Sequence, residues 1–222
     1  MLTKQLVNSR PRRRASGIAA AGEASRDRLL AAAAAEFAAR GFAGASVDRI
    51  AATARVNKAM IYYHFRSKAA LYREILRDMF QAVEARVRGA AESRTAPDQK
   101  IRLFIEAIAI EAEARPHFSP IWFREVAEGG QHLDAPVLRD IVSIVRTLAA
   151  IVAEGAHRAA FQRVNPLLLH ACIVAPLLLF FASDKLRSRI EKSGLRGIGA
   201  IRRDEMIAHV QRVTLGVLEG RM

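Results

Sequence analysis

Apolar residues recur along this chain at helical spacing almost from end to end, and strand-like alternation of apolar and polar positions is scarce. Leu29, Leu30, Ala33 and Phe37 make one apolar face of a first helix. Ser25 suits its N-cap, Asp27 its positive first turn, and Gly41 a left-handed stop. Ser46 then predicts the cap of a short second helix in which Val47, Ile50, Ala51 and Ala54 face inward and Asp48 lies in the first turn. A turn of Arg55, Val56 and Asn57 leads into a third short helix from Lys58 to His64, with Val56, Ile61 and Phe65 toward the core. Ser67 caps a fourth helix, where Leu71, Ile75 and Met79 recur at i, i+4 and i+8. Two short helices joined by a tight turn and braced by longer ones predict a helix-turn-helix.

Farther on, the pattern predicts longer helices over 98–114, 118–129, 136–159, 165–191 and 203–219. Pro97, Pro116, Pro120, Pro136, Pro166 and the glycines Gly194, Gly197 and Gly199 punctuate them. The expected fold class is all-α. A three-helix helix-turn-helix domain over 23–77 is followed by a helical domain over 78–222. Residues 1–22 are rich in Arg, Ser, Gly and Ala without an apolar period, and predict a flexible basic arm.

At 222 residues and 51% hydrophobic, the chain can bury a substantial core, which excludes disorder throughout. The net charge of +13 is uneven: residues 1–80 hold 15 Lys and Arg against 6 Asp and Glu, residues 81–222 hold 20 against 16. The positive field belongs to the front of the chain and draws polyanions, whether nucleic acid or an anionic membrane surface. Arg10, Arg12, Arg13 and Arg14 of the arm fit either insertion into a minor groove or a solvated tail. The single Cys172 excludes an intrachain disulfide and fits a reducing compartment. No export signal is evident, because Arg12, Arg13 and Arg14 are followed by small residues around Ile18 and then Glu23. The expected location is cytoplasmic, on the nucleoid when DNA is bound. Pro166 to Ala182 is just under spanning length and contains His170 and Pro176, so it reads as a buried helix without stable membrane insertion.

In a helix-turn-helix the second helix lies in the major groove with its first residues at base edges, while neighbouring elements grip phosphates. Lys58 reaches guanine or phosphate, Ala59 allows close approach, and Met60 offers apolar contact to a thymine methyl. Tyr62, His64 and Lys68 line the helix exit, where a phosphate strand would run, and Tyr63 belongs to the same run. The Ser46 hydroxyl and the amides from Val47 onward form a second phosphate site. Arg55 and Asn57 in the turn complete the candidate DNA-binding set, Arg55 directed at the DNA backbone.

These residues resemble the TetR family of bacterial transcriptional regulators. The resemblance rests on Gly41-Phe42, Ser46-Val47-Asp48-Arg49-Ile50-Ala51, Val56-Asn57-Lys58 and, most specifically, Ile61-Tyr62-Tyr63-His64-Phe65-Arg66-Ser67-Lys68 with Leu71 following. It covers about residues 25–77. It implies a homodimer, an operator of two half-sites as an inverted repeat, and relief of repression when a small molecule binds the C-terminal domain. Two positions depart from the family pattern: Arg55 stands where many members have a turn Gly, and Ser46 replaces the more common Thr.

Candidate pocket residues for a small organic effector are Phe104, His117, Phe118, Trp122, Phe123, His170, Cys172, Phe180 and Phe181, with Trp122 and His170 foremost. The apolar runs at 165–182 and 203–219 predict a dimer interface through Leu168, Val174, Leu178, Met206, Val210, Val213 and Val217. No two histidines sit at i, i+3 or i+4, and His170 and Cys172 diverge on a helix, so no metal site and no cofactor are expected. The absence of a phosphate-cradling glycine loop, a nucleophile motif or suggestively paired carboxylates argues against an enzyme. The alternative function is a DNA-binding regulator or architectural factor without a ligand.

Overall fold

Ten helices and no strand make up the computed structural model among its described residues, which run from 12 to 221 with side chains from 22 on. The first, α1 (Arg12–Gly44), is broken at Gly41, whose φ of 69° is the left-handed stop that the sequence predicts there. It starts upstream of Ser25, which therefore lies inside the helix rather than at its cap. Ala15, Ala19, Ala20 and Ala21 favour that extension by their intrinsic propensity. Arg10 of the basic arm lies outside the described residues, as do the side chains of Arg12, Arg13 and Arg14.

α2 (Val47–Ala54) and α3 (Ala59–Phe65) are short, and α4 (Lys68–Glu92) is long. Their inward residues interlock: Leu29, Phe37, Ile50, Ile61 and Leu71 are fully buried. Tyr72 packs its ring against Phe37 at 4.6 Å and Phe42 at 5.3 Å. Removing each large apolar side chain from water stabilises the fold by about 1.5–3 kcal/mol. Val47 and Val56, expected to face inward, are only half-buried. The chain divides after Tyr72 into two units.

The second unit holds the rest of α4 with α5 (Pro97–Ala114), α6 (Phe118–Ala127), α7 (Ala135–His157), α8 (Pro166–Ala182), α9 (Asp184–Lys192) and α10 (Arg203–Leu218). Proline opens α5, α7 and α8, where its missing N–H costs nothing. Asp134 caps α7 by accepting the Val137 N–H, and Asn165 caps α8 by accepting the Leu167 N–H at 2.9 Å. α5 packs against α7, α8 and α10 and buries Ile101, Phe104, Ile105 and Ile108. Gly155 in α7 is required by close approach: a Cβ there would stand 2.0 Å from the Phe161 ring. The helix predicted over 165–191 is in fact two, bent by 64° around Ser183. Arg187 stacks on the Phe180 ring at 4.1 Å and donates to the Phe180 carbonyl, which closes the end of α8 and turns the chain aside. No single helix among the described residues is long and apolar enough to cross a membrane.

Candidate nucleic-acid interface and effector cavity

The helix-turn-helix is held by a knot around Glu36 that sequence inspection does not reveal. Its carboxylate accepts the Arg49 guanidinium at 2.7 Å and the Ser46 backbone N–H at 3.1 Å, while Arg49 also donates to the Gly44 carbonyl at 2.7 Å. Burial opposes the Glu36 charge, but these two hydrogen bonds and the charges of Arg49 and Arg40 hold its pKa below the usual range. At the other end of α2, Arg28 donates to the Ala54 carbonyl at 3.3 Å. α2 is thus fixed to α1 at both ends. Ser46 occupies the N-cap position, yet its hydroxyl makes no capping hydrogen bond; its backbone N–H is taken up by Glu36.

Arg55 ends α2 in the left-handed region at φ 55°, and its N–H closes onto the Ala52 carbonyl at 3.1 Å. The turn therefore keeps the geometry that glycine favours while carrying an arginine, a conformational cost of about 1 kcal/mol. Asn57 is the true start signal of α3: its Oδ1 accepts the Ala59 N–H at 2.8 Å. Lys58 lies at the N-cap of α3, not inside it, and its ammonium sits 2.8 Å from Asp48. That hydrogen bond and the Asp48 charge raise the Lys58 pKa and keep it protonated.

α3 has a fully buried side and an open one. Ile61 and Phe65 point inward, Tyr62 is 48% exposed and Tyr63 78% exposed. Ala59 is exposed and Met60 half-buried at the start of the helix. The His64 ring packs edge-on against Tyr63 at 5.0 Å, and its Nε2 is turned inward without a hydrogen-bond partner. A phosphate contact from this imidazole is therefore not available at Nε2. Lys68 is already engaged, with its ammonium 3.4 Å from the Ala43 carbonyl and 4.7 Å from the centre of the Phe42 ring. Ser67 caps α4 as predicted, its hydroxyl accepting the Ala70 N–H at 3.0 Å.

In the second unit Phe80, Val83, Ile108, Phe118, Trp122, Ile141, Ile144, His170, Val174 and Leu178 surround a cavity of about 40 Å³. Phe80 meets Phe118 at 5.7 Å and Trp122 at 5.3 Å, both edge to face. Of the pocket candidates, Trp122, His170 and Phe118 line this cavity; Phe104, His117, Phe123, Cys172, Phe180 and Phe181 do not. Phe104 is spent in the core, Cys172 is exposed, and Phe180 is covered by Arg187. Burial alone lowers the His170 pKa; burial and the Arg115 charge, against Asp78, lower that of His117.

The dimer candidates separate in the same way. Leu178 and Val210 are buried in their own chain and Val174 lines the cavity, so these three are used internally. Met206 and Val217 are half-buried, while Leu168 and Val213 are exposed. An open apolar stripe runs along α8 through Leu168, Ala171, Cys172, Ala175 and Leu179. Ala171, Ala175 and Leu179 were missed because α8 is apolar all round, which leaves no periodic signal of which side faces out.

One polar cluster, built on the buried Glu125, was also invisible in the sequence. Gly129 and Gly130, both at positive φ, reverse the chain after α6 and return His132 to Glu125, whose carboxylate accepts the His132 backbone N–H and meets its Nδ1 at 2.9 Å. With Glu128, these residues place one donor atom each within 4.8 Å of one another. Histidine spacing gives no sign of a cluster built from one histidine and two carboxylates.

Residues 29–75 match the family described as bacterial regulatory proteins, tetR family. The HTH-type transcriptional repressor SCO4008 of Streptomyces coelicolor is 50% identical over 54 residues, covering 24% of this chain and 28% of that protein. The HTH-type transcriptional repressor NicS of Pseudomonas putida is 29% identical over 167 residues, 72% of this chain and 77% of that protein. A bacterial regulatory protein in the tetR family from Rhodococcus RHA1 has a similar structure, with a TM-score of 0.70 at 16% identity over 87% of this chain and 96% of that one.

Proposed function

We propose that this chain, whose residues 29–75 match the tetR family of bacterial regulatory proteins, is a DNA-binding regulator of transcription rather than an enzyme, and that it acts as a cytoplasmic homodimeric repressor released from its operator by a small organic effector. The observation that carries this reading is α3, a helix anchored by Ile61 and Phe65 that presents Tyr62 and Tyr63 to solvent, with Lys58, Ala59 and Met60 at its open start. In this reading Lys58, Ala59 and Met60 face base edges. Tyr62, Tyr63, Lys68, Arg55 and the amides that follow Ser46 hold phosphates. The Asn57 side chain sets the start of the helix and leaves only its amide nitrogen for DNA.

A single helix-turn-helix reads only a short half-site, so specificity calls for two copies. The exposed stripe on α8, with Val213 of α10, supports pairing by symmetry. Two relatives named as repressors support the sign of regulation. α4 supplies the coupling: it carries Leu71 and Tyr72 in the core of the first unit and Phe80 and Val83 at the cavity of the second. An effector that favours one setting of this helix shifts the population away from the spacing that fits two half-sites about 34–36 Å apart. The small size of the cavity, about 40 Å³, favours a second reading, a DNA-binding regulator or architectural factor without a ligand.

Selection of bound duplexes from a random pool at physiological salt tests the operator. The expected product is an inverted repeat bound about a hundredfold tighter than a scrambled control. Tyr62→Ala should weaken both duplexes alike, whereas Met60→Ala should change the preferred bases. Equal binding of the selected and scrambled duplexes by the native protein would remove the operator reading.

A further inference from the structure

The cavity of the second unit has an unusual chemical balance. Its walls come from α4, α5, α6, α7 and α8, and nine of its ten lining residues are hydrocarbon or aromatic. His170 on α8 supplies the one hydrogen-bonding side chain besides the indole of Trp122, and no carboxylate, ammonium or guanidinium lines the space. An ionised group brought here would lose its hydration and find no opposite charge. A neutral group that gives or takes one hydrogen bond would find an imidazole with both capacities. Burial lowers the His170 pKa and so favours the neutral ring.

At about 40 Å³ the space admits only a few waters, and its apolar walls do not hold them. Any organic guest must therefore push side chains aside. Of the lining residues, Trp122, Ile141, His170 and Val174 are half-buried and have fewer neighbours to displace, while Ile108 and Leu178 are buried in the core.

We infer that this cavity takes an uncharged, largely apolar molecule carrying a single hydrogen-bonding group, with His170 as its polar partner and Trp122 as the residue displaced on entry. This deepens, and rests on, the reading of the second unit as effector-binding. A charged amphiphile is excluded from the cavity even where its hydrocarbon portion fits.

Trp122 is the sole tryptophan of the chain, so its fluorescence reports entry directly. Full-length protein is titrated with 1-hexanol, hexanoate and hexylammonium, three probes matched in chain length, while operator affinity is followed in parallel. The expected result is an emission change with 1-hexanol at an affinity at least about tenfold above either ion. His170→Leu should remove the preference for 1-hexanol over an alkane of equal size, and Val174→Phe should fill the space and abolish the response. Equal or tighter binding of either ion, a preference unchanged in His170→Leu, or no response to any probe would each overturn the inference. A fluorescence response without any loss of operator affinity would leave the ligand class standing and count against release by an effector instead.

Discussion

In the helix-turn-helix unit, α2 and α3 each turn one side to the core, through Ile50, Ala51 and Ala54 and through Ile61 and Phe65, and leave the other side open. In the second unit α8 is apolar on every side, and its residues divide among three uses: Ile173 and Leu177 in the core, His170, Val174 and Leu178 at the cavity, Leu168, Ala171, Cys172, Ala175 and Leu179 in the open. The difference teaches how each unit can act. The first offers a fixed surface, determined by which face must be buried, and suits a rigid target such as the major groove. The second offers interchangeable apolar surfaces, and suits a response in which a guest or a second copy takes over contacts that the chain otherwise makes with itself.

The sharpest test of that division is Phe37→Ala, which removes a fully buried ring from the first unit and should cost about 3–5 kcal/mol. Calorimetry is expected to show an early transition for the helix-turn-helix with a later one for the remaining helices. A single transition would mean that the units melt together. Next in size is Gly155→Ala in the second unit, where the added Cβ meets the Phe161 ring. It should destabilise by about 1–3 kcal/mol and lower the later transition alone. Arg55→Gly tests the strained turn of the first unit: relief of the left-handed arginine should stabilise by about 1 kcal/mol and raise the early transition. If Arg55 also touches the DNA backbone, operator affinity will fall as stability rises, a combination that no purely structural role produces.

The smallest effect expected is a pH dependence confined to the second unit. His117 and His170 both titrate below the ordinary histidine value when folded, His117 through burial and then the Arg115 charge, His170 through burial. On acidification the unfolded chain binds these protons first, so the stability is fully present above the unfolded histidine pKa of about 6.5 and is lost as pH falls through the folded values. Denaturant midpoints of the later transition should fall between neutral and mildly acidic pH, and a double replacement by Asn should flatten that slope. A loss of equal steepness in the double variant would assign the effect elsewhere.

Much of the fold was legible because its signals are local. Gly41 stops α1, Ser67 caps α4, and proline opens α5, α7 and α8, all through backbone preferences that span a few residues. The run from Ile61 to Lys68 identified the candidate interface for the same reason, since spacing within one short helix fixes which residues are buried together. Trp122 and His170 line the cavity and Phe104, His117, Phe123, Cys172 and Phe180 do not, a division that the sequence did not make because aromatic and apolar spacing does not say which neighbour fills the facing volume.

The sequence alone therefore determined the all-helical class, the helix-turn-helix and the polarity of its two short helices, because period, caps and turn residues act within three or four positions. Tertiary structure alone decided that Glu36 would bind Arg49 and the Ser46 amide, that Asp48 would hold Lys58, and that Glu125 would meet His132 across a reversed turn. It also decided which sides of α8 enclose a void and which stay open. These outcomes depend on how elements pack, and a helix that is apolar all round carries no internal record of its partners.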